Sequence, residues 1–123
     1  MIGSQFTTGE TAQTLENTII PSIEDTIVTK ARAAGVDERQ AVKIAFCEST
    51  LRQFAKNGQA LRGVHNPDDV GLFQINETYH LKKSRDLGYD IYGTNGNIDY
   101  AIWLLGHEGT RHWKWSKPCW SGQ

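Results

Sequence analysis

A helical spacing of apolar residues in the last third of the chain constrains the fold most strongly. Between Asn97 and Leu105 the apolar side chains recur at positions i, i+3, i+4 and i+7, which are Ile98, Ala101, Ile102 and Leu105. This period places them on one face of an α-helix, and such a face must be buried against other elements. The segment therefore predicts a core helix around which the rest of the chain packs.

Two further helices are predicted in the first half of the chain. From Leu15 onwards the apolar residues again follow a helical period, and we expect Pro21 in the first turn, where its missing N–H costs little. Gly35 is a typical C-terminal stop. Asp37 is a candidate N-cap for the next helix, whose predicted face consists of Val42, Ala45, Phe46 and Ser49.

The middle of the chain carries turn signals. Gly58, Gly63 and the Asn66-Pro67 pair break any helix over residues 53–70, which predicts turns or a short hairpin. A short helix is expected from Asn76 to Leu87. The sequence thus predicts a mostly α (α+β) fold, in which a helical domain carries a small β-hairpin or irregular insertion.

Length and composition indicate one globular domain. A chain of 123 residues is too short to split into several cores, so we assign residues 13–123 to one domain and residues 1–12 to a flexible tail or linker. A net charge of −1 disfavours a nucleic-acid partner. No apolar run reaches the ~18 residues of a membrane span, so stable membrane insertion is not expected. The four histidines lack metal-ligand spacing, so we expect no metal. We also expect no cofactor and a monomer.

Glu48 is the first candidate catalytic residue. It lies near the C-terminal end of an apolar helix, with Ile44, Ala45 and Leu51 as its neighbours at i±3 and i±4. A carboxyl in such a setting is partly desolvated, which raises its pKa and suits a general acid. The alternative from periodicity alone is an exposed Glu at a helix end.

A second candidate segment runs from Asp68 to Asn76, with the sequence Asp-Asp-Val-Gly-Leu-Phe-Gln-Ile-Asn. It combines acidic residues, a glycine and two amides. Amide side chains both donate and accept hydrogen bonds, as sugar hydroxyls and N-acetyl groups require. Taken alone, the same letters also describe a turn that leads into a short strand or helix.

Together these segments resemble the lysozyme-like superfamily over roughly residues 20–120. Glu48-Ser49 at a helix end, then Gly-Leu-Phe-Gln at 71–74, then Asn97 on a following helix are similar to the pattern of soluble lytic transglycosylases. The stretch from Asp69 to Asn76 is also similar to that of animal c-type lysozymes, and Cys-Glu-Ser at 47–49 to bacterial resuscitation-promoting factors. The resemblance implies a lysozyme-like fold, with peptidoglycan glycan strands as the partner that is cleaved.

The resemblance also implies roles for single residues near the acid. Glu48 would protonate the glycosidic oxygen between N-acetylmuramic acid and N-acetylglucosamine, and Ser49 would hydrogen-bond near its carboxyl. Gln74 and Asn76 would hold the sugar or its N-acetyl group, and Phe73 would form the floor of the cleft.

Further positions follow from the resemblance in the second half of the chain. Asn97 and Tyr100 fall where the family has helix residues that support the substrate site. Trp113 or Trp115 is a candidate for stacking on a sugar ring, as aromatic faces do, with core packing as the alternative. The family's later Tyr-Asn-Ala-Gly segment is absent, and His107-Glu108-Gly109 is the segment we expect in its place. The resemblance therefore does not specify the far wall of the cleft.

Asp69 decides between two mechanisms. In c-type lysozymes the matching Asp is the second carboxylate of a two-carboxylate hydrolase. Lytic transglycosylases need no second carboxylate, because the substrate's N-acetyl group assists and the muramyl 6-hydroxyl attacks to leave a 1,6-anhydro end. Hydrolysis is expected if Asp69 points into the cleft, and transglycosylation if it caps a turn or helix. Asp68 is a substitute candidate for the second carboxylate.

The resemblance to secreted cell-wall enzymes implies a disulfide between Cys47 and Cys119, because such enzymes work in oxidising compartments. A pair of free thiols is the alternative. The implied location is secreted or periplasmic, at the cell wall.

Two other functions are compatible with the same residues. One is a non-catalytic glycan-binding or regulatory relative of lysozyme. The other is an enzyme with the same chemistry that acts on chitin.

Overall fold

The computed structural model describes residues 20–122. Over this range the chain is mostly helical with a small antiparallel sheet, as predicted. The elements in chain order are α1 (Ile23–Ala33), α2 (Glu38–Ser49), β1 (Asp69–Val70), β2 (Ile75–Asn76), α3 (Glu77–Asp86), α4 (Thr94–Glu108), a 3-10 helix (Arg111–Ser116) and α5 (Lys117–Trp120). The predicted tail over residues 1–12 and the predicted helical residues 15–19 lie outside the described range.

Side-chain caps set the first two helices. Ser22 is the N-cap of α1, where its Oγ accepts a hydrogen bond from the Asp25 N–H at 3.0 Å. The prediction of Pro21 inside the first turn is therefore wrong, because Pro21 precedes the cap and disfavours helical geometry at Ile20. Asp37 caps α2 as predicted, with its Oδ1 accepting from the Gln40 N–H at 3.1 Å.

The predicted core helix is α4, and it extends beyond its predicted bounds at both ends. Helix α1 packs against α2 and α4, and α2 also packs against the 3-10 helix and α5. Fully buried residues from three helices meet in the core: Ile27, Ala31, Ala41, Ile44, Ala45, Ile98 and Ala101. Burial of these faces holds the C-terminal end of α2 rigidly, which matters because Glu48 lies there.

The sheet is smaller than the hairpin expected over residues 53–70 and lies at the end of that segment. Asp69 pairs with Asn76, and Val70 pairs with Ile75. The stretch before it forms only isolated bridges, Phe54 with Ala60 and Arg62 with Val70. Asn76 is also the N-cap of α3, so the sheet connects directly to a helix.

Candidate active site

One cleft contains both candidate carboxylates. It has a volume of about 320 Å³ and is lined by Glu48, Asn66, Asp69, Gln74, Ile75, Asn76, Tyr79, His80, Leu104, His112, Trp113 and Trp115. The lining residues come from α2, the sheet and its neighbouring turn, α3, α4 and the 3-10 helix. The cleft is therefore assembled from segments far apart in sequence.

The end of α2 presents Glu48 to this cleft. The helix ends at Ser49, and the next two residues, Thr50 and Leu51, have left-handed φ values of 54° and 62°. Non-glycine residues adopt this geometry at a cost of about 1–2 kcal/mol each. Ser49 stabilises the turn, since its Oγ donates to the Ala45 carbonyl and accepts from the Arg52 N–H, both at 3.1 Å.

Ser49 thus stabilises the end of α2 and, contrary to expectation, does not hydrogen-bond the Glu48 carboxyl. Another residue donates to that carboxyl. The Oγ of Ser116 donates to Oε2 of Glu48 at 2.5 Å. Ser116 lies at the end of the 3-10 helix, 68 residues from Glu48. Sequence reasoning missed it, because no local pattern marks a serine as the partner of so distant a carboxyl.

Burial raises the pKa of Glu48 above its usual value, and the negative charge of Asp69 raises it further. The hydrogen bond from Ser116 opposes this shift in the pKa, because it favours the ionised carboxyl. The net direction is upward. Glu48 thus keeps its proton to a higher pH than an exposed Glu, as a general acid requires.

Asp69 lies in β1 and lines the cleft. Its Oδ1 accepts a hydrogen bond from the Nδ2 of Asn76 across the sheet at 3.1 Å. Burial raises the pKa of Asp69, the Asn76 bond lowers it, and the charge of Asp68 raises it. Asp68 itself accepts from the Thr78 hydroxyl at 2.9 Å, which ties it to α3. Of the two aspartates, Asp69 is the one in the cleft.

The Gly-Leu-Phe-Gln turn is held from behind by two buried amides. Asn97 accepts from the Phe73 N–H at 2.8 Å and donates to the carbonyls of Val70 and Ile91, each at 2.9 Å. Gln53, which sequence reasoning also missed, accepts from the Leu72 N–H at 2.8 Å.

Gly71 is required at this point in the turn. It has a φ of +73°, and a Cβ there would lie 2.5–2.6 Å from the amide groups of Gln53 and Asn97. A side chain would therefore displace both amides that hold the turn.

Three residues predicted to serve substrate are buried. Phe73, Asn97 and Tyr100 have no exposed surface, so they cannot touch a sugar in this conformation. Their burial makes Phe73 a core residue beneath the turn, Asn97 a support of the turn, and Tyr100 a support of the cleft wall. Trp113 is also largely buried but does line the cleft, and its Nε1 donates to the Phe73 carbonyl at 2.8 Å.

The two amides predicted to bind sugar do line the cleft. Gln74 has a left-handed φ of 51°, and its Nε2 donates to the Gly71 carbonyl at 2.9 Å. Asn76 bonds both Asp69 and the Tyr79 N–H. Each amide is thus oriented by the protein, and the Oε1 of Gln74 is the acceptor that these bonds leave open.

Two histidines form the wall that sequence reasoning left unspecified. The rings of His80 and His112 lie 4.8 Å apart between centroids, edge to face. Burial raises the pKa of Tyr100 to about 12, so its hydroxyl keeps its proton, and this hydroxyl is hydrogen-bonded to Nδ1 of His80 at 2.7 Å. Burial lowers the pKa of His80.

Glu108 anchors the other histidine of the wall. Hydrogen bonds from Arg111 and His112 lower the pKa of Glu108 to about 2, so its carboxylate stays ionised. The Nε2 of His112 donates to it at 2.6 Å. The segment expected opposite the acid therefore contributes through Glu108, which orients a lining residue.

Two strongly exposed aromatic residues complete the cleft lining. Tyr79 is 81% exposed and Trp115 is 88% exposed, although both line the cleft. Exposed rings of this kind have faces free to stack on a flat apolar ligand surface. Of Trp113 and Trp115, Trp115 is the exposed one, and the Nζ of Lys114 lies over its ring at 5.4 Å from the centroid.

The Cys47–Cys119 disulfide is present, with the two Cα atoms 6.1 Å apart. It joins the last turn of α2 to α5, and both cysteines of the chain are used. Cys47 directly precedes Glu48, and Cys119 follows Ser116 by three residues. The bridge therefore ties the helix that carries the acid to the segment that carries its hydrogen-bond donor.

Over residues 20–122, no group of three or more His, Cys, Asp or Glu side chains is placed to hold a metal ion. Within that same range, no helix is both long and apolar enough to cross a membrane. Comparison of the chain with protein-family models, with curated proteins and with solved structures found no match.

Proposed function

We propose that this protein is a lysozyme-like glycosidase that cleaves the β-1,4 bond between N-acetylmuramic acid and N-acetylglucosamine in peptidoglycan. The observation that carries the proposal is the pairing in one cleft of Glu48, a half-buried carboxyl with a raised pKa, with a second carboxyl, Asp69. Glycoside hydrolysis commonly uses two such carboxyls with different protonation states.

The environment assigns different roles to the two carboxyls. The negative charge of Asp69 raises the pKa of Glu48, and an Asp has a lower ordinary pKa than a Glu, so we expect Asp69 to be the first of the two to ionise. Glu48 is then the acid that protonates the leaving oxygen, and ionised Asp69 stabilises positive charge at the sugar carbon or activates water. Asp69 lines the cleft and caps no helix, which favours hydrolysis over transglycosylation.

The rest of the cleft fits a polar polymer of sugars. Exposed rings at Tyr79 and Trp115 supply stacking faces, and the open Oε1 of Gln74 supplies an acceptor for a hydroxyl or acetamido N–H. A disulfide fits a secreted or periplasmic location, where peptidoglycan lies. These features support a glycan substrate over a small apolar ligand.

Clearing of purified bacterial cell walls by the wild-type chain tests the proposal. We expect Glu48→Gln to lower the clearing rate by about 10²–10⁴-fold, the usual contribution of a general acid. Glu24→Gln, at an exposed position of α1, is the matched control and should clear at the wild-type rate. Full activity of Glu48→Gln would exclude the acid assignment.

Mass spectrometry of the released fragments separates the two mechanisms. Reducing ends are expected for hydrolysis, whereas 1,6-anhydro ends, lighter by one water, would show transglycosylation. If the enzyme is a hydrolase, Asp69→Asn in the same assay should abolish the release of reducing ends. If it is a transglycosylase, Asp69→Asn should still release anhydro ends.

A glycan-binding module is the second candidate, because the exposed rings of Tyr79 and Trp115 serve binding without chemistry. In that case the wild-type chain would sediment with cell walls yet release no fragments. Release from chitin oligomers but not from cell walls would instead assign the same chemistry to chitin.

A further inference from the structure

We propose that Ser116 is a positioning residue for Glu48: its hydroxyl, held in place by Trp120 and the Cys47–Cys119 disulfide, orients the carboxyl and favours its ionised form. The inference rests on the proposed function in naming Glu48 as the acid. The physical coupling between Ser116 and Glu48 can be tested without any activity.

The hydrogen-bond pattern around Ser116 determines where its proton points. Trp120 donates from Nε1 to the Ser116 Oγ at 3.1 Å, so that oxygen already accepts one bond. Its own O–H has two acceptors in reach, Oε2 of Glu48 at 2.5 Å and the Trp113 carbonyl at 3.2 Å. The shorter contact, to a carboxylate, is the stronger, because charge-assisted hydrogen bonds exceed neutral ones.

This bond makes the two carboxyl oxygens of Glu48 inequivalent. Because Oε2 accepts from Ser116, the acidic proton is carried on Oε1 when the carboxyl is protonated. The same bond limits rotation of the carboxyl, and general-acid catalysis depends on such alignment.

The disulfide and Trp120 give Ser116 a fixed position. Cys119 and Trp120 are adjacent in α5, and the bridge to Cys47 holds α5 against the last turn of α2. Trp120 is buried and also donates to the Trp113 carbonyl at 3.2 Å. The donor and the carboxyl are therefore held by one covalently closed unit.

Other titratable groups around the carboxyl are few among the described residues. Asp69 from β1, Tyr79 and His80 from α3 and His112 from the 3-10 helix line the same cleft. Of these, Asp69 acts on Glu48 by charge. Ser116 is not part of the cleft lining, so its removal should change the acid and leave substrate binding intact.

The first experiment follows the side-chain carboxyl carbon of Glu48 by NMR in ¹³C-labelled protein as pH is varied, with Glu48→Gln to assign the signal. Ser116→Ala removes the donor and should raise the pKa of Glu48 by ~0.5–1 unit. Ser116→Thr keeps a hydroxyl and should restore the wild-type value. Ser121→Ala is the matched control, because that hydroxyl lies in the same terminal segment and bonds only the Lys117 carbonyl.

The second experiment measures cleavage kinetics across pH. For Ser116→Ala we expect the alkaline limb of the pH–rate profile to move to higher pH, because the pKa of Glu48 rises. We also expect kcat to fall about tenfold and KM to stay unchanged. If the pKa of Glu48 rises in Ser116→Ala but the wild-type protein cleaves no glycan, the proposed function is rejected and the coupling between Ser116 and Glu48 still holds. An unchanged pKa in folded Ser116→Ala would overturn the coupling, whatever the activity.

A second variant covers the case in which Ser116→Ala does not fold. Trp120→Phe keeps a smaller aromatic ring and removes the N–H that donates to the Ser116 Oγ and to the Trp113 carbonyl. It should raise the pKa of Glu48 by less than complete removal of the Ser116 hydroxyl would. Unchanged pKa in folded Trp120→Phe would then count against the coupling.

Discussion

Glu48 and Asp69 have pKa values raised by the same cause, burial in one cleft, yet they differ in what they receive from their neighbours. Asp69 accepts a hydrogen bond from Asn76 and feels the charge of Asp68, whereas Glu48 accepts a hydrogen bond from Ser116 and feels the charge of Asp69. The proposed roles need Asp69 to ionise before Glu48, in the order of the ordinary pKa values of Asp and Glu. This difference is what a pair of acid and base requires.

The pH dependence of cleavage should be bell-shaped. Activity needs Glu48 protonated, so it is lost as pH rises through the pKa of Glu48, which lies above the usual value. Activity needs Asp69 ionised, so it is lost as pH falls through the pKa of Asp69, which is also raised. Initial rates of cell-wall clearing at constant ionic strength give both limbs. A pH-independent rate would contradict the assignment.

Replacement of Asp69 should change the protonation of Glu48 directly. In Asp69→Asn a negative charge is removed from the cleft, so the pKa of Glu48 should fall toward its ordinary value. The NMR titration of Glu48 measures this shift. Asp86→Asn, at an exposed position paired with Lys82, is the control and should leave the pKa unchanged. An unaltered Glu48 titration in Asp69→Asn would show that the two carboxyls are not coupled.

At the scale of elements, the turn between β1 and β2 depends on side chains from outside the sheet. The sheet has only two residues per strand, which is too short to be stable alone. The buried amides of Gln53 and Asn97 replace the missing strand-to-strand hydrogen bonds. Asp69 is thus positioned by helix α4 as much as by its own strand.

Asn97→Ala should destabilise the protein by about 2 kcal/mol or more. The Phe73 N–H and the Val70 carbonyl would lose the bond from Asn97, and each unsatisfied buried group costs ~1–3 kcal/mol, whereas the Ile91 carbonyl keeps its bond from Nε2 of Gln53 at 3.2 Å. Urea denaturation measures the loss. Asn95→Ala, two residues earlier and exposed on the same helix, should cost less than about 1 kcal/mol. Equal effects of the two variants would contradict this role of Asn97.

The disulfide should contribute strongly to stability, because it closes a loop with a sequence separation of 72 residues. In the chain-entropy model such a bridge stabilises by about 4 kcal/mol. The Cys47→Ser, Cys119→Ser double variant should lose about that free energy of unfolding, measured in urea. A reducing agent should lower the stability of the wild-type chain and leave the double variant unchanged. An unchanged unfolding midpoint in the double variant would contradict the estimate of 4 kcal/mol.

At the scale of the whole molecule, the formal net charge is −1, so the chain has no bulk charge to attract an anionic cell wall over a long range. If the proposed function holds, we expect the affinity for cell walls to come from contacts in the cleft.

Binding to cell walls should accordingly be nearly insensitive to salt. Between ~50 mM and ~200 mM salt we expect less than about a twofold change in the fraction bound, because short contacts are screened less than long-range ones. Sedimentation with purified walls gives the bound fraction. A cationic lysozyme in the same assay is the control, and its binding should fall steeply as salt is added. A collapse of binding at ~200 mM salt would show that surface charge matters more than the net charge suggests.

Local chemistry explains which features the sequence predicted well. Helix periods, the Asp37 cap and the stop at Gly35 all depend on neighbours within a few residues, so they can be predicted from the chain. The apolar face predicted for α2 was wrong at Phe46, which is 56% exposed. The mostly helical class follows from the same short-range rules. Glu48 was predicted for a similar reason, since Ile44 and Ala45 precede it on its own helix.

The sequence by itself thus determined helices α1 to α4, the position of the candidate acid and the segment that carries the candidate second carboxyl. Only the tertiary structure decided that Asp69 faces the cleft, that Phe73 and Asn97 lie behind it, and that Ser116 bonds Glu48. The physical reason is the range of the interactions. A buried hydrogen bond between residues 68 positions apart leaves no periodic trace in the chain, because it depends on how the helices pack.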